Sequence, residues 1–227
     1  MTAAIGHEVW RDIRLAARAL ARHQLVHAYG HVSARLNASA FVVTPGRPLG
    51  RVTLDTALIA CAVDGPLPAG ALPEVAAHQA IYRARGDVGG ICRFQSHHVT
   101  ALSAVLRTPR ALNGSGAYFA APPLWTDPML VRDRERADGV AGQLADARAI
   151  VLRGNGAIAV GATVREAACH AYWLEDAARV DLAACATNEP AVPYTPEQAG
   201  QRAAAGPSLY DRMWEYLLDD DFEEASR

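Results

Sequence analysis

Residues 151–183 read VLRGNGAIAVGATVREAACHAYWLEDAARVDLA, and this stretch decides the fold. Two short apolar runs, 149–152 and 157–160, flank Gly154-Asn155-Gly156, which is typical of strands joined by a tight turn. Thr163 followed by Glu166 predicts a capped helix start, and the helix is expected to run to about residue 186. A pair of strands followed directly by a long helix indicates an α/β domain.

The same alternation extends over the rest of the chain. Helices are predicted at 7–23, 74–85, 98–106 and 133–145, and strands within 31–36, 40–45, 56–63 and 88–94. Residues 108–127, rich in Gly, Pro and aromatics, are expected to form a loop with one short strand around 117–121. The pattern predicts a single α/β domain with a mixed sheet covered by helices over 1–186. A Pro-rich linker and a C-terminal arm are expected over 187–227.

The composition excludes several function classes. The 227 residues carry a formal net charge of −2 and a pI of about 6.4, which argues against a sequence-independent nucleic-acid binder. All 22 basic residues are Arg, so lysine-imine chemistry and the Walker A motif are excluded. No apolar run reaches the roughly 18 residues that a membrane span needs, and the N-terminal segment does not resemble a secretory signal. We therefore expect a cytoplasmic protein with no nucleic-acid or membrane partner.

The cysteines are far apart and lie in apolar stretches, with no CxxC pair. They are expected to be buried, reduced thiols rather than disulfides or zinc ligands. The four are Cys61, Cys92, Cys169 and Cys185.

Five segments together resemble the class II aldolase/adducin family. They are GHVSARL at 30–36, FVVTPG at 41–46, LPEVAAHQAIYRARGDVGGI at 72–91, TALS at 100–103, and the stretch 151–183 quoted above. The resemblance spans about residues 7–186. It implies a three-layer α/β/α fold and commonly a homotetramer with active sites between subunits.

The resemblance also implies where a divalent metal would be bound, and the chain departs from the family pattern there. The family's enzymes use an H-x-H pair and a third His, and these positions fall on Arg93, Gln95 and Asn155. Glu74 keeps the position of the acid/base. Arg offers only hydrogen-bond donors and a fixed positive charge, so it would repel a cation. We therefore expect no metal site and no other cofactor.

The replacements still suit chemistry on an anionic substrate. Arg93 would supply the positive charge of the missing metal and, with Gln95 and Asn155, hold an enolate or carboxylate. Glu74 would move the proton. The alternative is a decayed site in which Arg93 and Glu74 form a plain salt bridge.

The substrate-binding segments differ from those of the sugar-phosphate members. The family's phosphate-binding G-N-x-S segment, turn and Ser-Ser pair correspond here to GHVS at 30–33, TPG at 44–46 and Leu72-Pro73, so phosphate recognition is not expected. The GHVS form is similar to the branch that decarboxylates hydroxylated aromatic or pyridine carboxylic acids. His31 is then a candidate proton donor or substrate contact, with a structural turn His as the alternative. Ser33 and Thr44 are candidate substrate contacts.

Other side chains have weaker claims. Tyr118 in the Gly-rich loop and Tyr210 in the arm are candidate substrate contacts that would close the cleft across a subunit interface, with ordinary packing as the alternative. His97 and His98 lie near the missing metal ligands but begin the next helix, out of register with them. His78, on the apolar face of its helix, is expected to be a satisfied buried side chain.

Three functions are compatible with these observations. The favoured one is a metal-independent lyase that performs decarboxylation, aldol cleavage or dehydration on a small carboxylated, non-phosphorylated substrate. The second is a non-catalytic scaffold like the adducin head, in which the aromatic, acidic tail from Tyr210 to Glu224 binds a partner. The third is an unusual enzyme of secondary metabolism, for example an oxygen-using one, on the same fold.

Overall fold

A seven-stranded mixed sheet forms the middle layer of the protein. A computed structural model describes residues 2–204 and 206–223. The strands lie in the order β3-β2-β1-β4-β7-β6-β5, and every neighbouring pair is antiparallel except β5 and β6. Their bounds are β1 His31–Arg35, β2 Ala40–Val43, β3 Ile59–Ala62, β4 Gly90–Phe94, β5 Leu124–Trp125, β6 Ala149–Leu152 and β7 Ala157–Gly161.

Helices cover both faces of this sheet. Their bounds are α1 Thr2–Arg22, α2 Ala76–Ala84, α3 His97–Ala104, α4 Arg134–Leu144, α5 Val164–Cys185, α6 Pro196–Ala203 and α7 Pro207–Leu218. On one face α5 packs on β4 and β7 and contacts α1, α3 and α7; on the other, α2 and α4 pack together. The sheet therefore separates two hydrophobic cores, and the predicted three-layer α/β/α fold is confirmed.

The alternation of side chains along β4 shows how the sheet distributes its residues. Successive side chains of a strand point to opposite faces. Cys92 and Phe94 belong to the core beneath α5, whereas Ile91 belongs to the core beneath α2 and α4. Arg93 has the same parity as Ile91, so its side chain leaves the sheet on the α2/α4 face. This parity decides on which side of the sheet the candidate site lies.

Most predicted elements are confirmed, with small differences at their ends. The helix predicted at 74–85 begins with a 3₁₀ turn, Pro73–Val75, before α2. Thr163 caps α5 by accepting a hydrogen bond from Glu166 N, while Glu166 accepts from Ala162 N instead of completing the box.

The strand predicted around 117–121 is wrong. Residues Gly116–Phe119 form a 3₁₀ helix, and the strand of this loop is β5, a few residues later. The physical reason is local, because the side chain of Asn113 accepts a hydrogen bond from Gly116 N and turns the chain. The aromatic residues that suggested a strand pack into the core from this turn.

The C-terminal segment folds back onto the domain. Trp214 and Leu217 of α7 belong to the core beneath α5. Beyond α7, the buried carboxylate of Asp221 receives hydrogen bonds from Arg18 and Arg22 of α1. Residues 224–227 of the predicted arm, including Glu224, lie outside the described residues.

Two further sequence expectations can be compared with the structure. Cys61, Cys92 and Cys169 are buried free thiols as predicted, whereas Cys185 is exposed because it is the last residue of α5. Within the described part of the chain, no helix has both the length and the apolar character needed to cross a membrane.

The β6–β7 turn offers a matched pair of glycine substitutions. Gly154 and Gly156 both have positive φ, +65° and +74°. A Cβ on Gly154 meets nothing within 4 Å, whereas one on Gly156 would lie 2.1 Å from the carbonyl oxygen of Phe94. We expect Gly154→Ala to lower the free energy of unfolding by roughly 1–2 kcal/mol, the cost of the left-handed backbone alone. Gly156→Ala should lose roughly 1–3 kcal/mol more through overpacking.

Urea unfolding of both variants measures this difference. Equal losses of stability would show that the turn does not pack against the end of β4 as described.

Candidate active site

A cavity of about 690 Å³ opens where β1 begins and β4 ends. Its walls come from four chain segments and the last residues of β4. The lining residues fall in 28–31, 46–48, 72–74, 93–95, 130 and 132. Of the residues predicted for the site, His31, Glu74, Arg93 and Gln95 line this cavity.

Arg93 is a buried cation at the floor of the cavity. It lies opposite His31 on β1 and Ile158 on β7, and its side chain and backbone together are only 6% exposed. Its Nη2 donates to Asn155 Oδ1 at 2.7 Å, and Gln95 Nε2 donates to the same oxygen. Asn155 therefore contacts the predicted cluster without lining the cavity. Burial lowers the pKa of Arg93 to about 10, partly countered by the charge of Glu74, so the guanidinium stays protonated at neutral pH.

Glu74 is held by a different arginine. Its Oε1 accepts hydrogen bonds from Arg132 Nε at 3.0 Å and Arg132 Nη2 at 2.9 Å. Among the described residues, no carboxylate forms an ion pair with Arg93. The plain Arg93–Glu74 salt bridge expected of a decayed site is thus not formed. Glu74 Oε2 accepts no hydrogen bond from the described residues, so it is free to act on a bound molecule.

His31 is the outer member of a buried histidine pair. Its Nδ1 lies 2.7 Å from His78 Nε2, and His78 Nδ1 lies 2.6 Å from Ser33 Oγ. Burial first, then His78 and Arg93, hold the pKa of His31 well below its ordinary value. Burial and Arg93 lower the pKa of His78 to about 3. Both rings are therefore neutral at physiological pH.

Arg93, Gln95 and Asn155, where the family resemblance places a metal, do not fit a divalent cation. Arg93 has no lone pair to donate, and Asn155 Oδ1 already accepts two hydrogen bonds from Arg93 and Gln95. Zinc and related transition-metal ions are held mainly by neutral imidazole, thiolate or carboxylate ligands. In the described part of the chain, no group of three or more His, Cys, Asp or Glu is placed to hold a metal ion. The chemistry of this cluster is therefore derived from its own side chains.

Nearby histidines do not complete the cavity. His98 Nδ1 lies 2.6 Å from Glu175 Oε1, on the α5 side of the sheet. The ring of His97 contacts that of His27 at a tilt of 58°, with ring centroids 4.9 Å apart. Neither lines the cavity.

The remaining predicted contacts lie away from the cavity. Thr44 is buried and its hydroxyl accepts from Val32 N, so it connects β2 to β1. Ser33 lies behind His78 and makes no contact with the open volume. Tyr118 and Tyr210 lie on the α5 face, where their ring centroids are 6.2 Å apart. Their predicted role across a subunit interface stays a prediction.

Sequence reasoning missed three residues of the cavity region as candidates for the site. Arg132 and Arg47 line it from loops in which no motif marked them. His78 was expected to be buried and satisfied, and it is, but its partner proves to be a cavity residue. The sequence did contain one signal. In β1 the polar residues His31 and Ser33 alternate with the apolar Val32 and Ala34, which indicates that one face of this strand is polar.

Comparison with known proteins identifies the family. Residues 11–182 match the Class II Aldolase and Adducin N-terminal domain, and the chain belongs to this family. No curated protein matches the chain.

Solved structures share the fold. L-fuculose 1-phosphate aldolase from Glaciozyma antarctica PI12 is 23% identical, with a TM-score of 0.82 over 96% of this chain and 91% of that one. L-fuculose-1-phosphate aldolase from Thermus thermophilus is 28% identical, with a TM-score of 0.73 over 81% and 98% of the two chains. YgbL from Escherichia coli, described as a candidate aldolase, epimerase or decarboxylase, is 21% identical, with a TM-score of 0.75 over 88% and 100%.

The buried neutral histidines predict a pH-dependent stability. The pKa of His170 is lowered to about 4 and that of His78 to about 3, mainly by burial, whereas an unfolded His titrates near 6.5. Below pH 6.5 the unfolded chain binds protons that the folded chain does not. The free energy of unfolding should therefore fall as the pH drops from 6.5 toward 4, by about 1.4 kcal/mol per pH unit for each such His.

Urea unfolding at pH 6.5, 5.5 and 4.5 measures this slope. The variant His170→Gln, which lies away from the cavity, should show a shallower slope than the parent chain. Parallel curves for the two proteins would contradict the assignment of His170 as a neutral buried side chain.

Proposed function

We propose that this protein is a metal-independent lyase acting on a small carboxylated, non-phosphorylated substrate. Arg93 binds an anionic oxygen of the substrate, and Glu74 transfers the proton. The observation that carries the proposal is the placement of Arg93, a buried guanidinium on the cavity floor whose nearest wall carboxylate is paired elsewhere. Such a cation is suited to receive a negative charge from a ligand.

The charge of the cavity supports an anionic substrate. Among the lining residues there are three arginines, Arg47, Arg93 and Arg132, and one carboxylate, Glu74. A cleft lined by an excess of one sign of charge concentrates ligands of the opposite sign. A carboxylate on the substrate would bring the charges of the cavity closer to balance.

The shape of the cavity argues against a phosphate. Leu72 and Pro73 line the wall where the family resemblance places a phosphate-binding Ser-Ser pair, and neither side chain offers a donor. Leu72 also fills the space above Gly46, because a Cβ on Gly46 would lie 2.9 Å from its Cδ2. The turn at 44–46 is therefore closed by an apolar side chain. This separates the proposed substrate from the phosphorylated ones named for the fuculose-phosphate aldolases.

The proposed reaction passes through an enolate. In a decarboxylation the bond between a carboxylate carbon and the carbon next to a carbonyl group breaks, CO₂ leaves, and the electron pair stays on the substrate as an enolate. Glu74 then passes a proton from solvent to this enolate. In an aldol cleavage Glu74 takes the proton of a hydroxyl group, the neighbouring carbon–carbon bond breaks, and the same kind of enolate forms. In both, the guanidinium of Arg93 holds negative charge on the substrate, and Glu74 carries the proton.

The structure favours this function over a scaffold. A scaffold of the adducin-head kind would use the aromatic tail as a free partner-binding element. Trp214 and Leu217 of that tail are instead buried in the protein's own core, and Asp221 is held by Arg18 and Arg22.

The first test concerns Arg93. Phenylacetate serves as a simple carboxylate probe, and its binding is measured by calorimetry. We expect Arg93→Gln to weaken its binding by about 10–100-fold, since a hydrogen bond to a charged group contributes about 1.5–3 kcal/mol. Arg134→Gln, which removes an exposed arginine of α4, is the matched control and should leave the affinity unchanged. Equal binding by both variants and the parent chain would contradict the proposal.

The second test concerns turnover. Protein dialysed against EDTA, with its metal content measured, is assayed on 2-oxo, 3-oxo and hydroxylated aromatic carboxylic acids for CO₂ release and carbon–carbon cleavage. With any acid that is turned over, Glu74→Gln should lower the rate by about 10²–10⁴-fold, the usual contribution of a positioned acid/base. The control Glu189→Gln alters an exposed carboxylate far along the chain.

Two outcomes would overturn the assignment. Activity that disappears with chelation and returns with a divalent metal would contradict metal independence. Unchanged turnover by Glu74→Gln would remove Glu74 from the chemistry.

A further inference from the structure

A chain of four buried polar groups runs from the cavity into the protein. His31 contacts His78, His78 contacts Ser33, and Ser33 Oγ lies 2.9 Å from Tyr82 Oη. These residues are 3%, 0%, 0% and 2% exposed, so water does not complete their hydrogen bonds. Each hydrogen in this series must therefore find its acceptor within it, except one on the nitrogen of His31 that faces the cavity.

The number of hydrogens determines which group donates and which accepts in each of these hydrogen bonds. If Tyr82 donates to Ser33, Ser33 donates to His78 Nδ1, and His78 Nε2 donates to His31 Nδ1, then every internal hydrogen has an acceptor. The last hydrogen lies on His31 Nε2. If His31 instead carries its hydrogen on Nδ1 and donates to His78, one of the two hydroxyl hydrogens is left without an acceptor among the described residues. Leaving a buried donor unsatisfied is unfavourable, so the first direction is preferred.

An additional proton on His31 or His78 is also unfavourable. An added proton on either ring would be a second buried positive charge beside Arg93, which already lowers the pKa of both histidines. The pair is thus neutral, with one hydrogen on each ring.

The free nitrogen of His31 is directed at the cavity. His31 lines the cavity, and its Nδ1 is occupied by His78. Its Nε2 makes no hydrogen bond with a described residue, and it is not among the polar atoms that are both sealed from solvent and unpaired. His31 is also directly opposite Arg93 on the neighbouring antiparallel strand, where facing Cβ atoms are about 4.5–5.5 Å apart.

We propose that the chain Tyr82–Ser33–His78 fixes His31 as the Nε2–H tautomer, and that this N–H selects substrates carrying an acceptor oxygen on the carbon beside the carboxylate bound by Arg93. This inference rests on the proposed function and names its substrate class, the 2-oxocarboxylic acids. In these acids the enolate forms when the C3–C4 bond breaks, by aldol cleavage or by loss of a second carboxylate as CO₂, while the carboxylate on Arg93 is retained. Neither Arg93 nor this form of His31 accepts a hydrogen bond. A methylene at the same carbon leaves the His31 N–H without a partner, and an ammonium group is repelled.

Three acids that differ only at this carbon provide the binding test. They are phenylglyoxylate, phenylacetate and phenylglycine, which place a carbonyl, a methylene and an ammonium group beside the carboxylate. Calorimetry on the parent chain should show phenylglyoxylate binding about tenfold more tightly than phenylacetate, which corresponds to one net hydrogen bond. Phenylglycine should bind most weakly.

Two variants test whether the preference for phenylglyoxylate depends on the hydrogen-bonded series Tyr82–Ser33–His78. Ser33→Ala removes the hydroxyl that donates to His78 Nδ1, and it should reduce the preference for phenylglyoxylate while leaving the affinity for phenylacetate unchanged. Tyr82→Phe keeps the Ser33 donor, and it should retain the preference.

The tautomer is measured directly on the parent chain, independently of how the variants fold. Long-range ¹H–¹⁵N correlation spectra of protein labelled at its histidines distinguish the two neutral forms, and His31→Asn identifies the signal. A hydrogen on Nδ1 of His31 would overturn the inference, as would equal binding of phenylglyoxylate and phenylacetate that still depends on Arg93. The proposed function would survive either result. Failure of all three acids to bind would contradict the proposed function and this inference together.

Discussion

The burial of Arg93 is the constraint on which the rest of the site depends. The parity of β4 places this guanidinium on the α2/α4 face of the sheet, between β1 and β7. A buried charge needs hydrogen bonds and compensating charge in place of water. Asn155 supplies the hydrogen bond, and Glu74 supplies part of the negative charge from across the cavity. Burial lowers the pKa of both His31 and His78, and the positive charge of Arg93 adds to this effect, so both rings stay neutral.

Because His31 and His78 are neutral, the side chains packed around them decide which ring nitrogen can donate a hydrogen bond to a ligand. A neutral imidazole has one donor and one acceptor nitrogen, and its partners determine which is which. Here the partners come from two separate elements, since Ser33 is on β1 with His31, while His78 and Tyr82 are on α2. The packing of α2 on the sheet therefore controls what the cavity wall can recognise. The same packing places Glu74, just before α2, at the cavity rim.

The elements were largely predictable because periodicity is a local property of the sequence. The β6–β7 turn and α5 are confirmed almost residue for residue, and so are β1 and β2. Clustering of Glu74, Arg93, Gln95 and Asn155 was predicted only through the family resemblance. The position of β5 and the His31–His78 contact were not predictable, because a loop's strand is chosen by the sheet edge it meets, and this contact joins residues 47 positions apart.

The pairing of Glu74 supports the proposed binding site over a decayed one. Two arginines, Arg93 and Arg132, lie within electrostatic reach of this carboxylate. In a decayed site the lowest free energy would pair the carboxylate with the buried arginine, since that charge has less access to water. The half-exposed Arg132 takes the carboxylate instead, through both its Nε and Nη2. Arg93 is thereby left without an ion pair among the described residues, and under the proposed function an incoming carboxylate would complete this pairing.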